Sequence, residues 1–97
     1  MTEIGVDISV TRRSGDGPLA FDVVVRDGKG ESCHVVTMAQ GTLDRLASGK
    51  KAEDVIEAAF KFLLDREPKE SILKRFDITV ITRYFPEFEK ELPQYLR

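Results

Sequence analysis

The chain has 97 residues, 15 basic and 17 acidic side chains, a formal net charge of -2 and a single cysteine. That length holds one domain, because two separate cores would each be marginal, and the slight acidic excess gives no argument for nucleic acid or an anionic membrane as partner. Cys33 alone cannot form an internal disulfide, which points to a reducing, cytoplasmic setting, and no apolar run approaches the ~20 residues that cross a bilayer.

The first part of the chain alternates. Ile4, Val6, Ile8 and Val10 share one side, and Gly5, Asp7, Ser9 and Thr11 the other, which predicts a half-buried strand over 4–12. The opening MTEIGVDISV has neither a basic n-region nor a long apolar h-region, so it does not read as a signal peptide. After the turn SGDGP, LAFDVVVRD predicts a strand over 19–27, with Phe21, Val23 and Val25 facing inward. DGKG at 27–30 is a hairpin signal suited to positive φ. A third strand follows over 31–39, whose two faces, Cys33/Val35/Thr37 and His34/Val36/Met38, are poorly distinguished.

The period changes near residue 40. Thr42 as N-cap and Gly49 as stop predict a short helix over 42–48. The segment 52–66 carries a broad apolar stripe of Val55, Ile56, Ala59, Phe60, Leu63 and Leu64, with Glu53 and Asp54 at the positive end of the helix dipole. Pro68 fits the first position of a further helix over 68–76, where its missing N–H costs nothing.

RFDITVITRYFPEF, from Arg75 to Phe88, is ambiguous. Five consecutive β-branched residues, Ile78–Thr82, favour a strand. A strand here would have to bury both faces, including Arg83, whereas Asp77 can cap a helix over 78–85 and Pro86 can open another over 86–92. The helical reading is adopted. The predicted fold is α+β: a three-stranded antiparallel N-terminal meander, covered on one face by C-terminal helices, in one domain over 1–97. Its expected core is Val6, Ile8, Val10, Phe21, Val23, Val25, Val35, Ile56, Phe60, Leu63, Ile81 and Phe85.

Catalytic motifs fail on inspection. Cys33 and His34 are adjacent on a strand and point to opposite faces, so they cannot form a dyad, and a buried or edge cysteine beside a surface histidine is expected. GKG at Gly28–Gly30 lacks the third glycine and the following helix of a dinucleotide loop, and DRLASGKK lacks both the leading glycine and the Ser/Thr of a phosphate loop. One cysteine and one histidine make no thiol–imidazole metal cluster, and the acidic groups at helix starts are explained by the dipole. No catalytic, metal-ligating or cofactor-binding residue is therefore assigned, and no cofactor is expected.

Three functional classes remain. Tyr84, Phe85, Phe88, Leu92, Tyr95 and Leu96 crowd the last fourteen residues, more apolar surface than so small a core readily absorbs. They either close the bottom of one compact core or form an interface in a non-enzymatic interaction or accessory module, whose partner is another protein or a second copy. Arg12 and Arg13 beside the glycine-rich turn are candidate anion contacts. Together with His34 and a carboxylate they define the alternative of a small-molecule binder or small enzyme. Lys69, Lys74, Arg75 and Arg83, with Lys50 and Lys51 nearby, define a weaker nucleic-acid alternative without a zinc-finger, helix-turn-helix or RNA-binding-sheet signature.

Overall fold

A computed structural model describes residues 5–15 and 17–96. The elements run β1 (Asp7–Arg12), β2 (Leu19–Asp27), β3 (Gly30–Met38), α1 (Gln40–Ala47), α2 (Ala52–Leu64), a single 3₁₀ turn (Lys69–Ser71), β4 (Arg75–Asp77), α3 (Thr79–Tyr84) and α4 (Phe88–Tyr95). The fold is α+β, with the helices on one face of a four-stranded sheet of order β1-β2-β3-β4.

The antiparallel register pairs Val10 with Val23 and Phe21 with Val36. One sheet face thus carries Phe21, Val23, Val25, His34, Val36 and Met38, all buried beneath the helices, with Ile8 and Val10 partly buried at its edge. Asp27 accepts the Lys29 N–H at 2.8 Å to close the hairpin, and Gly30 rather than Gly28 takes the positive φ, at 144°. Gly49, at φ 86°, supplies the left-handed residue that follows α1.

Several expectations are corrected. The expected start of the first strand at Ile4 lies outside the described residues, and Val6 precedes β1 at 51% exposure instead of entering the core. Val35 is half-buried on the opposite face, because the register assigns Val36 to the core. Helix α1 begins at Gln40, with Ala39 in place of Thr42 at its N-cap, and α4 runs on to Tyr95 with Pro93 inside it. The predicted helix over 68–76 does not form.

Pro68 opens only one 3₁₀ turn, after which the chain extends into β4 parallel to β3. The cause lies in the sheet edge. Val35 donates its N–H to the Lys74 carbonyl at 2.8 Å, and Ile78 donates to the Thr37 carbonyl at 2.9 Å. A helix over 68–76 would leave that edge of β3 unpaired. The parallel pairing requires a long crossover, which α1 and α2 supply.

The ambiguity at Arg75–Phe88 resolves into both conformations in sequence. Arg75–Asp77 is strand and Thr79–Tyr84 is helix. Asp77 stands at the junction, accepting the Thr79 N–H at 3.1 Å, the Thr79 hydroxyl at 2.7 Å and the Thr37 hydroxyl at 2.7 Å. These donors hold its carboxyl below the ordinary range against the opposing effect of burial.

Helix α2 is the spine of the covering layer and buries Val55, Ile56, Ala59, Phe60, Phe62 and Leu63. Phe60 faces the sheet side, beside His34 and Phe76, whereas Phe62 meets Phe85, Phe88 and Tyr95. Among the described residues, no helix is long and apolar enough to cross a membrane.

Candidate functional site

An open groove of about 270 Å³ lies between the C-terminal end of α2, the extended segment before β4, and α3. Leu63, Ile72, Leu73, Phe76, Val80, Ile81 and Phe85 make it apolar, and Tyr84, Ser71 and Glu67 complete the lining. Tyr84 at its rim is 68% exposed and Leu73 is 48% exposed. Two large apolar side chains held in water beside an apolar concavity are what a docking surface needs, whereas single exposed residues are ordinary.

Each wall is fixed by contacts elsewhere in the fold. Asp77 pins the start of α3 through Thr37 and Thr79. The wall bearing Leu73 is held by His34, only 2% exposed, whose Nδ1 lies 2.7 Å from the Leu73 carbonyl. A carbonyl only accepts, so Nδ1 carries the proton. Nε2 is then the acceptor for the Ser32 hydroxyl, also at 2.7 Å. Serine and imidazole have nucleophile–base spacing, yet the ring is packed 5.2 Å from Phe60 and both nitrogens are engaged in holding backbone and strand together. His34 is a buried clasp, and Cys33 is exposed on the open face, the reverse of the arrangement expected for this pair.

Burial is the main cause that pushes the His34 imidazole below its ordinary pKa, with the charge of Lys74 acting in the same direction and the Leu73 bond opposing. The fold therefore holds the neutral ring, while the unfolded chain takes up a proton near pH ~6.5. Below that pH the unfolded state binds more protons, so stability is expected to fall as pH drops towards ~5. Urea midpoints measured across this range should decline for the native chain and decline less for His34→Leu, in which the carboxylates held below their ordinary range, such as Asp77, still lose stability towards the acid end. A flat native profile would contradict the clasp. Glu67, whose carboxyl is pushed up by burial, acts with the opposite sign at lower pH, and Glu67→Gln separates the two.

Glu67 follows α2 with its N–H on the Leu63 carbonyl, and this half-buried residue is part of the groove lining. Burial alone pushes its carboxyl above the ordinary range, and among the described residues no ion pair or hydrogen bond compensates the side chain. The neighbouring acids are engaged. Glu87 and Glu91 hold Arg66 at 3.1 and 2.8 Å, and Glu70 holds Lys69 at 2.6 Å.

The residues singled out from sequence scatter across the molecule. Of the six aromatic and aliphatic residues near the C-terminus, Phe88 and Leu92 are fully inside the chain's own core. Phe85, Tyr95 and Leu96 are partly buried against that core, and the Tyr95 hydroxyl bonds Asp65 at 2.6 Å. Tyr84 and Phe85 line the groove. Arg13 is committed to Asp22 through two hydrogen bonds, of 2.9 and 2.8 Å, while Arg12 is exposed at the end of β1. The groove contains neither arginine nor His34, so the constellation expected for a small-molecule site is not assembled there.

The basic surface expected around 69–83 is also altered. Lys69 is buried and bonded to both Asp27 and Glu70, while Lys74, Arg75 and Arg83 remain exposed on three different elements or connections. Among the described residues, no three His, Cys, Asp or Glu side chains converge as a metal site would require. Glu67 and Leu73 were missed because neither belongs to a periodic pattern. Their signal was only the failure of the helix after Pro68. No family model, curated protein or solved structure matches this chain.

Proposed function

We propose that the chain is a non-enzymatic protein-interaction module, and that the groove is its docking surface. The observation that carries this reading is the pairing of an apolar concavity, flanked by exposed Tyr84 and Leu73, with the uncompensated carboxylate of Glu67. The groove, at about 270 Å³ and open to solvent, lies at the lower end of the ~300–1,000 Å³ range of ligand pockets and has room for a large side chain. Glu67 adds the charge preference. The occupant is a protein segment that presents an aromatic or large aliphatic side chain next to lysine or arginine. A reducing, cytoplasmic setting accords with the single exposed thiol of Cys33.

Titration with N-acetyl-Arg-Tyr-amide, followed by methyl NMR, tests the reading. Shifts are expected at Leu63, Ile72, Leu73 and Val80, with Val24 and Val35 on the open sheet face unmoved. Leu73→Asp should keep the fold, because that side chain is half in water, and should abolish the shifts. Groove methyls that do not respond in a chain shown to be monomeric would defeat the docking role.

A further inference from the structure

The two edges of the sheet are finished differently. β4 offers its outer side for only three residues and passes almost at once into α3. β1 is six residues long and pairs with β2 alone, through an unbroken register. Arg13 donates its N–H to the Ala20 carbonyl at 2.8 Å, which makes Arg13–Ala20 a hydrogen-bonded pair of the ladder. Such pairs recur at every second residue of an antiparallel ladder, so Asp7, Ser9 and Thr11 also direct their backbone groups at β2. Ile8, Val10 and Arg12 therefore aim their N–H and C=O groups away from the sheet, where no backbone partner among the described residues meets them. Proteins blunt such an edge with lysine, proline, a bulge or an inward-pointing charge, and the run 7–11 carries none of these. Ile8 and Val10 are only partly buried on its helix side, and Val6 just before it is 51% exposed. What this edge calls for is another extended strand.

Its charges select which strand. Asp7 and Arg13 lie at opposite ends of β1 on the open face, where they meet Arg26 at 3.7 Å and Asp22 at 2.8 Å on β2. We infer that the occupant of this edge is β1 of a second copy, paired antiparallel about a two-fold axis at Val10, so that the two sheets become one. Setting Val10 against Val10 opposes Ile8 to Arg12, the other residues whose backbone groups point outward, and keeps both helical layers on the same side. It also opposes Asp7 of each copy to Arg13 of the other, so that each Asp7 lies between Arg26 of its own chain and Arg13 of the second. A parallel pairing would set acid against acid. The contact is isologous, so each interaction occurs twice and each substitution acts twice. The groove stands beside β4, at the other edge of the sheet, and stays open in this dimer.

Sedimentation equilibrium of the full chain, from micromolar to millimolar concentrations at low salt, is joined to residue-resolved amide exchange as the test. The native chain is expected to dimerise within that range. As it does so, the amides of Ile8, Val10 and Arg12 should become protected, while those of Ser9 and Thr11, already bonded to β2, are protected throughout. Val10→Pro should weaken dimerisation ~30-fold or more, since the donor at the axis is lost from both copies. Asp7→Lys should weaken it ~10-fold by facing two arginines with a third cation, and that effect should shrink in high salt. Circular dichroism should be retained in both variants, because Asp7 is exposed and the Val10 N–H points away from β2.

A native chain monomeric at every concentration overturns the inference. So does a dimer in which the Ile8, Val10 and Arg12 amides still exchange freely, because the copies then meet through another surface. Protection of those amides in a monomer overturns it as well, since the edge is then covered from within the chain. A dimer indifferent to Asp7→Lys overturns the register at Val10. The groove reading is judged separately: Val10→Pro, monomeric and folded, is the form in which the peptide titration decides it.

Discussion

Phe88→Asp is expected to leave little or no folded protein. Phe88 is 1% exposed, and its ring lies edge-on to Phe62 at 5.0 Å between centroids. Truncating a buried phenylalanine costs ~3–5 kcal/mol, and a carboxylate left in that apolar space without a partner adds a desolvation cost on top. A domain of this size has ~5–15 kcal/mol to lose in total. Circular dichroism and the dispersion of amide proton shifts should both collapse towards the unfolded state. A well-folded monomeric variant would show instead that Phe88 faces outward. The spacing of Phe85, Phe88, Leu92 and Leu96 places all four on one side of a helical tail, and the interface expected there would turn that side outward.

That reversal shows where sequence is informative and where it is not. Helical spacing identified a shared side for Phe88 and Leu92 but could not say what covers it. The answer is α2, which turns Phe62 towards α4. The meander of β1, β2 and β3 and the long helix were legible because their patterns are local: alternation, Asp-Gly at the hairpin, and a broad stripe between residues 55 and 64. Strand β4 was not, since three residues, Arg-Phe-Asp, are too short to show a period. Their conformation is set by the edge of β3, some forty positions away in the chain. The faces of β3 were equally undetermined locally, because Val35 and Val36 are equivalent until the register with Phe21 selects one. This choice buries His34, which in turn fixes Leu73 as a wall of the groove. The groove draws residues from Leu63 to Phe85 across four pieces of chain, so no contiguous motif announces it.

Phe62→Ala is expected to be the most damaging simple truncation, costing ~4 kcal/mol in urea or guanidinium unfolding. Phe62 is completely buried and joins α2 to the C-terminal layer, with Phe85, Phe88 and Tyr95 at 5.9, 5.0 and 5.8 Å between ring centroids. Its steep T-shaped contacts, at 68–80°, suit the opposed charge of ring edge and ring face. The Arg66 guanidinium caps the ring at 3.7 Å while also bonding Glu87 and Glu91, which ties both the approach to α4 and α4 itself to the end of α2. A double-mutant cycle with Phe62→Ala and Arg66→Met should therefore show coupling of ~1 kcal/mol, between the exposed and desolvated limits for a cation over an aromatic face. Arg66→Met alone should cost less than Phe62→Ala, because the guanidinium keeps some access to water and its carboxylate partners are solvated enough to stand without it. Additive losses in the cycle would mean that Arg66 acts through Glu87 and Glu91 alone. A loss below ~2 kcal/mol for Phe62→Ala would mean that α4 can collapse onto α2 without the ring, and that the aromatic cluster is not what fixes the C-terminal layer.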